Sequence, residues 1–245
     1  MSRLPMKEKA KKILKKSLVW LRSILLTLFV LSLFLVVLYK YVPVYQPLNF
    51  VVRSAENLFA KSKISLQHHW IALDEISPDL VKAAMASEDN LFLIHNGFDF
   101  GGQEINPNLP IRNRYPTNSG TITQQTARAV FLFPRETYLN ELLETYFSLL
   151  IEFVWGKERI MEVYLNSIEL ANGRYGVDAL KGDFPDKEID SDLNWTAQLT
   201  REDCAMIAVL IQNPREMDIN RPTAYMLKNQ AKILALMDKL IPIEF

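Results

Sequence analysis

The chain has 245 residues, 49% of them apolar, and its 28 Lys and Arg balance 28 Asp and Glu. That is enough apolar material for one globular domain with a sizeable core, and too little excess charge for a chain-wide basic surface, so no nucleic-acid partner is expected. The single cysteine, Cys204, excludes an internal disulfide and reads as a small apolar core residue in "DCAMIAVL".

The balance of charge is uneven along the chain. Residues 1–17 form a basic tail in which Arg3, Lys7, Lys9, Lys11, Lys12, Lys15 and Lys16 face one acid, Glu8. Residues 18–42 follow as a candidate transmembrane helix, uncharged from Ser23 to Tyr39 and flanked by Arg22 and Lys40, which can snorkel. The run is long for a signal peptide and no small-residue cleavage site follows it, so a retained anchor is expected. The basic end should stay in the cytoplasm, with everything after Lys40 on the far face of the membrane. Residues 43–70 read as a linker, because Pro43 and Pro47 discourage a helix continuing out of the membrane.

The domain proper is expected over 71–245. Its first helix starts at "SPDLVKAAMASED", with Ser77 as N-cap, Pro78 at the first helical position and Asp79 on the dipole. Val81, Ala84 and Met85 form its apolar stripe, and the next position on the stripe is Glu88. Desolvation and the negative end of the dipole would both oppose ionisation of that carboxylate. Glu88 is then either a proton acceptor near neutral pH or a buried carboxylate paired with an Arg or Lys. Asp89 and Asp99 suit turns or caps, and His95 alone suits a structural hydrogen bond.

The Asn-, Pro- and Gly-rich stretch "GGQEINPNLPIRNRYPTNSG" reads as a loop. The helix "GTITQQTARAVFLF" is entered at Ser119 or Gly120 and places Thr121, Gln125 and Arg128 on one polar face, with Gln124 beside them. Hydroxyls, amides and one Arg suit hydrogen bonding to a sugar or phosphate. The helix "TYLNELLETYFSLLIEFVW" is apolar almost all round, which predicts burial and leaves Glu144 needing a partner or a purpose. An amphipathic helix, "GKERIMEVYLN", ends near Asn166 and is broken by "ANGRYG". Thr200 and Asp203 make a capping-box start for "REDCAMIAVLIQ", and a last helix spans about 223–240 with Met226, Ile233, Leu234 and Met237 as its stripe. The fold is mostly α.

In this order and spacing, "EDNLFLIHNGFD", "GTITQQTARAVFL" and "GKERIMEVYLN" resemble the glycosyltransferase family 51 domain of bacterial peptidoglycan glycosyltransferases, in its monofunctional form. The resemblance covers roughly 70–240. It implies a lysozyme-like, two-lobed domain behind one N-terminal transmembrane helix. It also implies polymerisation of lipid II into β-1,4-linked glycan, with release of undecaprenyl pyrophosphate. It makes Glu88 the catalytic base and Glu144, 56 positions on, the second essential carboxylate. Asp89, His95, Thr121, Thr123, Gln124, Gln125 and Arg128 match positions that bind or place substrate. The implied partners are lipid II, the nascent strand, the membrane and other wall-synthesis proteins. No cofactor is required, though a divalent cation such as Mg2+ would assist the pyrophosphate.

The sequence also departs from the family pattern. Gly120 stands where the family has Ser, Arg128 where it has Lys, and Ala129 where it has Asn. An Arg-Lys pair before the second carboxylate becomes Asn140 and Glu141, and a further Arg falls at Glu136, with neighbouring Arg135 as its replacement. Arg112 or Arg114 would offer other cations. These losses keep a second reading open, a degenerate homologue that binds lipid II or a wall-synthesis partner without polymerising. A lytic enzyme is a third, and "TITQQ" argues against it.

Overall fold

The computed structural model describes residues 6–60, 64–99, 120–184, 194–240 and 242–243. The chain forms two compact units, 1–42 and 43–245. In the first, α1 (Met6–Tyr41) is one continuous 36-residue helix. Its segment Lys12–Tyr41 is long and apolar enough to cross a bilayer.

The second unit opens with a correction. The stretch expected to be a linker contains α2 (Leu48–Phe59), whose N-cap is Pro47. Proline stops a preceding helix, but its fixed φ is also compatible with starting the next one. Phe50 of α2 meets Tyr175 edge-on at 5.4 Å, and the Asn49 amide donates to the Ser167 carbonyl at 3.1 Å.

Helix α3 (Pro78–Glu88) follows the expected stripe, with Val81, Ala84, Met85 and Glu88 all buried. It packs with α7 (Arg201–Leu210) and α8 (Ala224–Met237). Thr200 and Asp203 form the expected capping box, and α7 buries every residue from Cys204 to Leu210. Along α8 the buried residues are Met226, Ile233, Leu236 and Met237; Leu236 takes the inner place expected of Leu234.

Helix α4 (Ile122–Phe131) packs on α5 (Tyr138–Val154) and α6 (Lys157–Ser167). Its N-cap is Thr121, one or two residues later than expected. A capping box with Gln124 fixes the start there, after Gly120 at a φ of 80°. Asn166, fully buried near the end of α6, exchanges hydrogen bonds with both the N–H and the C=O of Ile71.

The "ANGRYG" stretch does more than break a helix. Asn172 and Gly173 turn a tight hairpin between β2 (Glu169–Ala171) and β3 (Arg174–Tyr175), and β1 (Gln67–His68) pairs parallel to β3. Gly173 has a φ of 81°, and a Cβ there would lie 2.6 Å from Ile64.

Helix α5 overturns the expected burial. Only Ser148 and Ile151 are buried, while Tyr138 is 90% and Phe153 91% exposed, with Leu139, Leu142 and Leu149 exposed beside them. Protein packs on one side only, where Phe147 stacks on Phe131 at 4.5 Å. An apolar helix needs an apolar neighbour, and that neighbour need not be protein.

Candidate active site

Two carboxylates flank α4, and its polar face reaches both. Glu88 ends α3 and is 8% exposed. Its Oε2 accepts from Gln125 Nε2 at 3.1 Å and its Oε1 from Ser87 Oγ at 3.0 Å. The Ser87 hydroxyl has a second acceptor within reach, the Ala208 carbonyl at 3.3 Å. Glu144 projects from α5, where its Oε2 accepts from Arg128 Nε at 2.8 Å and its Oε1 from Gln124 Nε2 at 3.1 Å. Its side chain is 14% exposed against 44% for Arg128, so the acid is sheltered and the guanidinium faces outward. Helical spacing produces this division, because Gln124 and Arg128 are four apart and point together at Glu144, while Gln125 is turned about 100° from Gln124, towards Glu88.

Asp89 and His95 lie beneath the site. Asp89 Oδ2 accepts from His95 Nε2 at 2.8 Å and from the backbone N–H of Ile122 at 3.0 Å, and both side chains are about 95% buried. A carboxylate at the first N–H of α4 ties the turn after Glu88 to that helix and complements its dipole. Thr121 donates to the Gly97 carbonyl at 2.7 Å, and fully buried Thr123 donates to Glu152 Oε2 at 2.9 Å. These four expected substrate contacts therefore hold α4 against the segment 88–97 and against α5. Arg135 lies exposed in the turn before α5. Arg112 and Arg114 lie outside the described residues.

The sequence reading passed over several members of this network. Lys157 Nζ sits 2.6 Å from Glu152 Oε1 and 4.6 Å from the Phe92 ring centre. Burial pulls its ammonium below the usual lysine value, while Glu152 and Asp89 oppose that shift. A charge inside an apolar helix singled out Glu144, and the same signal was available for Glu152 in "LLIEFVW". Tyr164, fully buried on α6, donates its hydroxyl to Gln125 Oε1 at 3.2 Å. Its phenol is held protonated far up the pH scale, by burial first and then by the charges of Glu88 and Asp89.

A pocket of about 360 Å³ opens beside Gln125 and Arg128 and is walled by Arg53 and Glu56 of α2, by Glu169 and Tyr175 of the sheet, and by Arg215. Arg215 donates through Nε and Nη2 to Glu169 Oε2, both at 3.0 Å, whereas Arg53 Nη1 stays 3.6 Å from Glu56. Burial and the charge of Glu169 push the Tyr175 hydroxyl up to about 12, so it is neutral at physiological pH. The pocket thus offers guanidiniums, an amide and a neutral phenol, a set suited to a sugar that carries an anionic group.

Comparison with known proteins points to one family. The transglycosylase family model matches residues 55–238. A biosynthetic peptidoglycan transglycosylase of Bacteroides thetaiotaomicron is 40% identical over 94% of this chain and 89% of its own length. Proteins of the same name from Bdellovibrio bacteriovorus and Caulobacter vibrioides are 38% and 35% identical over 91% and 87% of the chain.

Proposed function

Because the chain belongs to the transglycosylase family, we infer that Glu88 is the general base of a peptidoglycan glycosyltransferase. Its activity is the polymerisation of peptidoglycan glycan, with lipid II and the growing strand as substrates. The observation that carries the assignment of Glu88 is a sheltered carboxylate at the end of α3 that accepts from Gln125 and Ser87. A sugar hydroxyl is a poor nucleophile, so a base must take its proton as it attacks. In this reading the 4-hydroxyl of the acceptor sugar attacks the anomeric carbon of the donor and its proton passes to Glu88. The α-linked pyrophosphate leaves from the opposite face, inverting the centre to a β-1,4 bond.

Charge that builds on the departing pyrophosphate needs cations placed in advance. Arg128, held by Glu144, would supply one, and Arg53 and Arg215 border the same pocket. Glu144 would act by setting Arg128 and the Gln124 amide. Both Glu144 oxygens accept from donors, Arg128 and Gln124, and no step is assigned to a metal.

The same reading places α1 in the inner membrane with its basic end in the cytoplasm. The exposed apolar face of α5 would rest on the bilayer that holds the lipid-linked substrate. The test is polymerisation of purified lipid II by the detergent-solubilised full-length protein beside Glu88→Gln and Glu144→Gln. Glu88→Gln should fold normally and lose activity by a factor on the order of 10² to 10⁴. Failure of the folded wild type to form polymer would leave a lipid II-binding homologue instead.

A further inference from the structure

We propose that Tyr164 is a positioning residue for the base, acting through the Gln125 amide, whose orientation its hydroxyl fixes. The hydrogen bonds around Gln125 carry the inference. Gln125 Nε2 donates to acceptors that include Glu88 Oε2 at 3.1 Å and the Gly120 carbonyl at 3.2 Å. Its Oε1 receives the Tyr164 hydroxyl at 3.2 Å. Rotating the amide by half a turn would set its oxygen against a carboxylate and a carbonyl, two acceptors with no proton to give.

Tyr164 removes the remaining freedom. Its side chain is fully buried, and the phenol stays protonated because burial and two neighbouring carboxylates disfavour its anion. A buried hydroxyl needs a partner, and among the described residues Gln125 provides it. Hydrogen bonds in series polarise one another, so a donor at Tyr164 strengthens the N–H that Gln125 offers to Glu88. The result is a chain from α6 through α4 to α3 that holds the carboxylate plane in one orientation. Gln125, expected from the sequence to bind substrate, therefore serves the base, and Tyr164, which no motif reading singled out, serves Gln125.

The inference rests on Glu88 being the base, and the test separates the two. Initial rates of lipid II polymerisation would be measured for full-length Tyr164→Phe, Gln125→Met and the double variant, each checked for fold by circular dichroism. Loss of one hydrogen bond in the series should lower kcat about tenfold in Tyr164→Phe while the KM for lipid II stays within about twofold. The double variant should be no slower than Gln125→Met alone, because Tyr164 acts only through that amide. Losses that multiply in the double variant, a rise in KM at unchanged kcat, or an unchanged Tyr164→Phe would overturn the proposal. If Tyr164→Phe does not fold, hydrogen exchange at the Gln125 side-chain amide of the wild type decides. Slow exchange is expected, and exchange at the rate of a free amide refutes it. An active Glu88→Gln would sink the base itself; an inactive one beside a fully active Tyr164→Phe sinks only the role given to Tyr164.

Discussion

Replacing Lys157 by Met tests whether the network behind the site is held by charge. The Lys157 and Glu152 side chains are 18% and 12% exposed, and their charged atoms lie 2.6 Å apart. Removing one partner of a buried pair typically costs about 3–5 kcal/mol, because the other charge is left in a poor solvent. Two features reduce that figure here. Met keeps the hydrocarbon contact with Phe92, and the Thr123 hydroxyl still donates to Glu152 Oε2. We therefore expect a loss of about 2–3 kcal/mol, which for a domain of this size lowers Tm by about 6–9 °C. The double variant Lys157→Met, Glu152→Gln should recover most of it, since a neutral amide still accepts from Thr123 and no unpaired charge remains. Thermal unfolding of the full-length protein in detergent, followed by near-UV circular dichroism, reads both. A single variant within about 0.5 kcal/mol of wild type, or a double variant as unstable as the single, would refute the reasoning. The pH dependence has a definite sign. Because burial lowers the folded-state pKa of Lys157, the unfolded chain binds that proton more tightly, and this group adds stability as pH rises from the folded value towards 10.5. The Met variant should lack that alkaline gain.

Two further outcomes follow from burial and titration. Within α5, Leu142→Ser and Phe153→Ser should each change stability by less than about 0.5 kcal/mol, whereas Ile151→Ala, fully buried on the same helix, should cost about 2–4 kcal/mol. Similar losses at all three, in detergent denaturation curves, would mean that the helix packs all round. His68 offers the acid-side counterpart: burial lowers its pKa, and its Nε2 lies 2.9 Å from the Asn166 carbonyl. The unfolded state then binds the proton more readily, so stability from this group is present above 6.5 and is lost as pH falls below it. His68→Gln, which keeps a donor for that carbonyl, should show a smaller drop in Tm between about pH 7.5 and 5 than wild type. An identical drop would remove His68 as its source.

Some features set by local chemistry were legible in the sequence. The capping box of α7 and the Thr223 start of α8 come from residues within a few positions of one another, so their physics is written in the chain, whereas Ser77 stands at the N-cap of α3 without a side-chain cap bond. Glu88 and Glu144 could be singled out because each is a charge on an apolar surface. What remained hidden depends on neighbours distant in sequence. Nothing near Asp89 announces that its carboxylate caps α4 across 33 positions, or that Tyr164 reaches Gln125 across 39. The burial of α5 was misread for another reason. Hydropathy reports how poorly a residue suits water and says nothing of what covers it, so an apolar helix facing outward looks like one in a core. The helix hidden in the supposed linker shows the same limit, since Pro47 could mark either an end or a beginning.

The break in the family pattern at Asn140 and Glu141 also becomes intelligible from local contacts. The Asn140 amide donates to the carbonyls of Phe133 and Arg135, closing the turn that leads into α5, and Glu141 sits in the first turn of that helix, where a negative charge complements the dipole. Both residues thus have structural work at the helix start that a lysine or arginine would not do as well. A departing pyrophosphate responds to the summed field at its oxygens and not to the sequence position of the charges that make it. Arg53 comes from α2 and Arg215 from beyond α7, and with Arg128 they border one pocket, each guanidinium standing beside a carboxylate, Glu56, Glu169 and Glu144 respectively. The missing pair therefore does not empty the site of guanidiniums: three line a pocket that meets Glu88 and Glu144 only through Gln125 and Arg128, which bond those carboxylates.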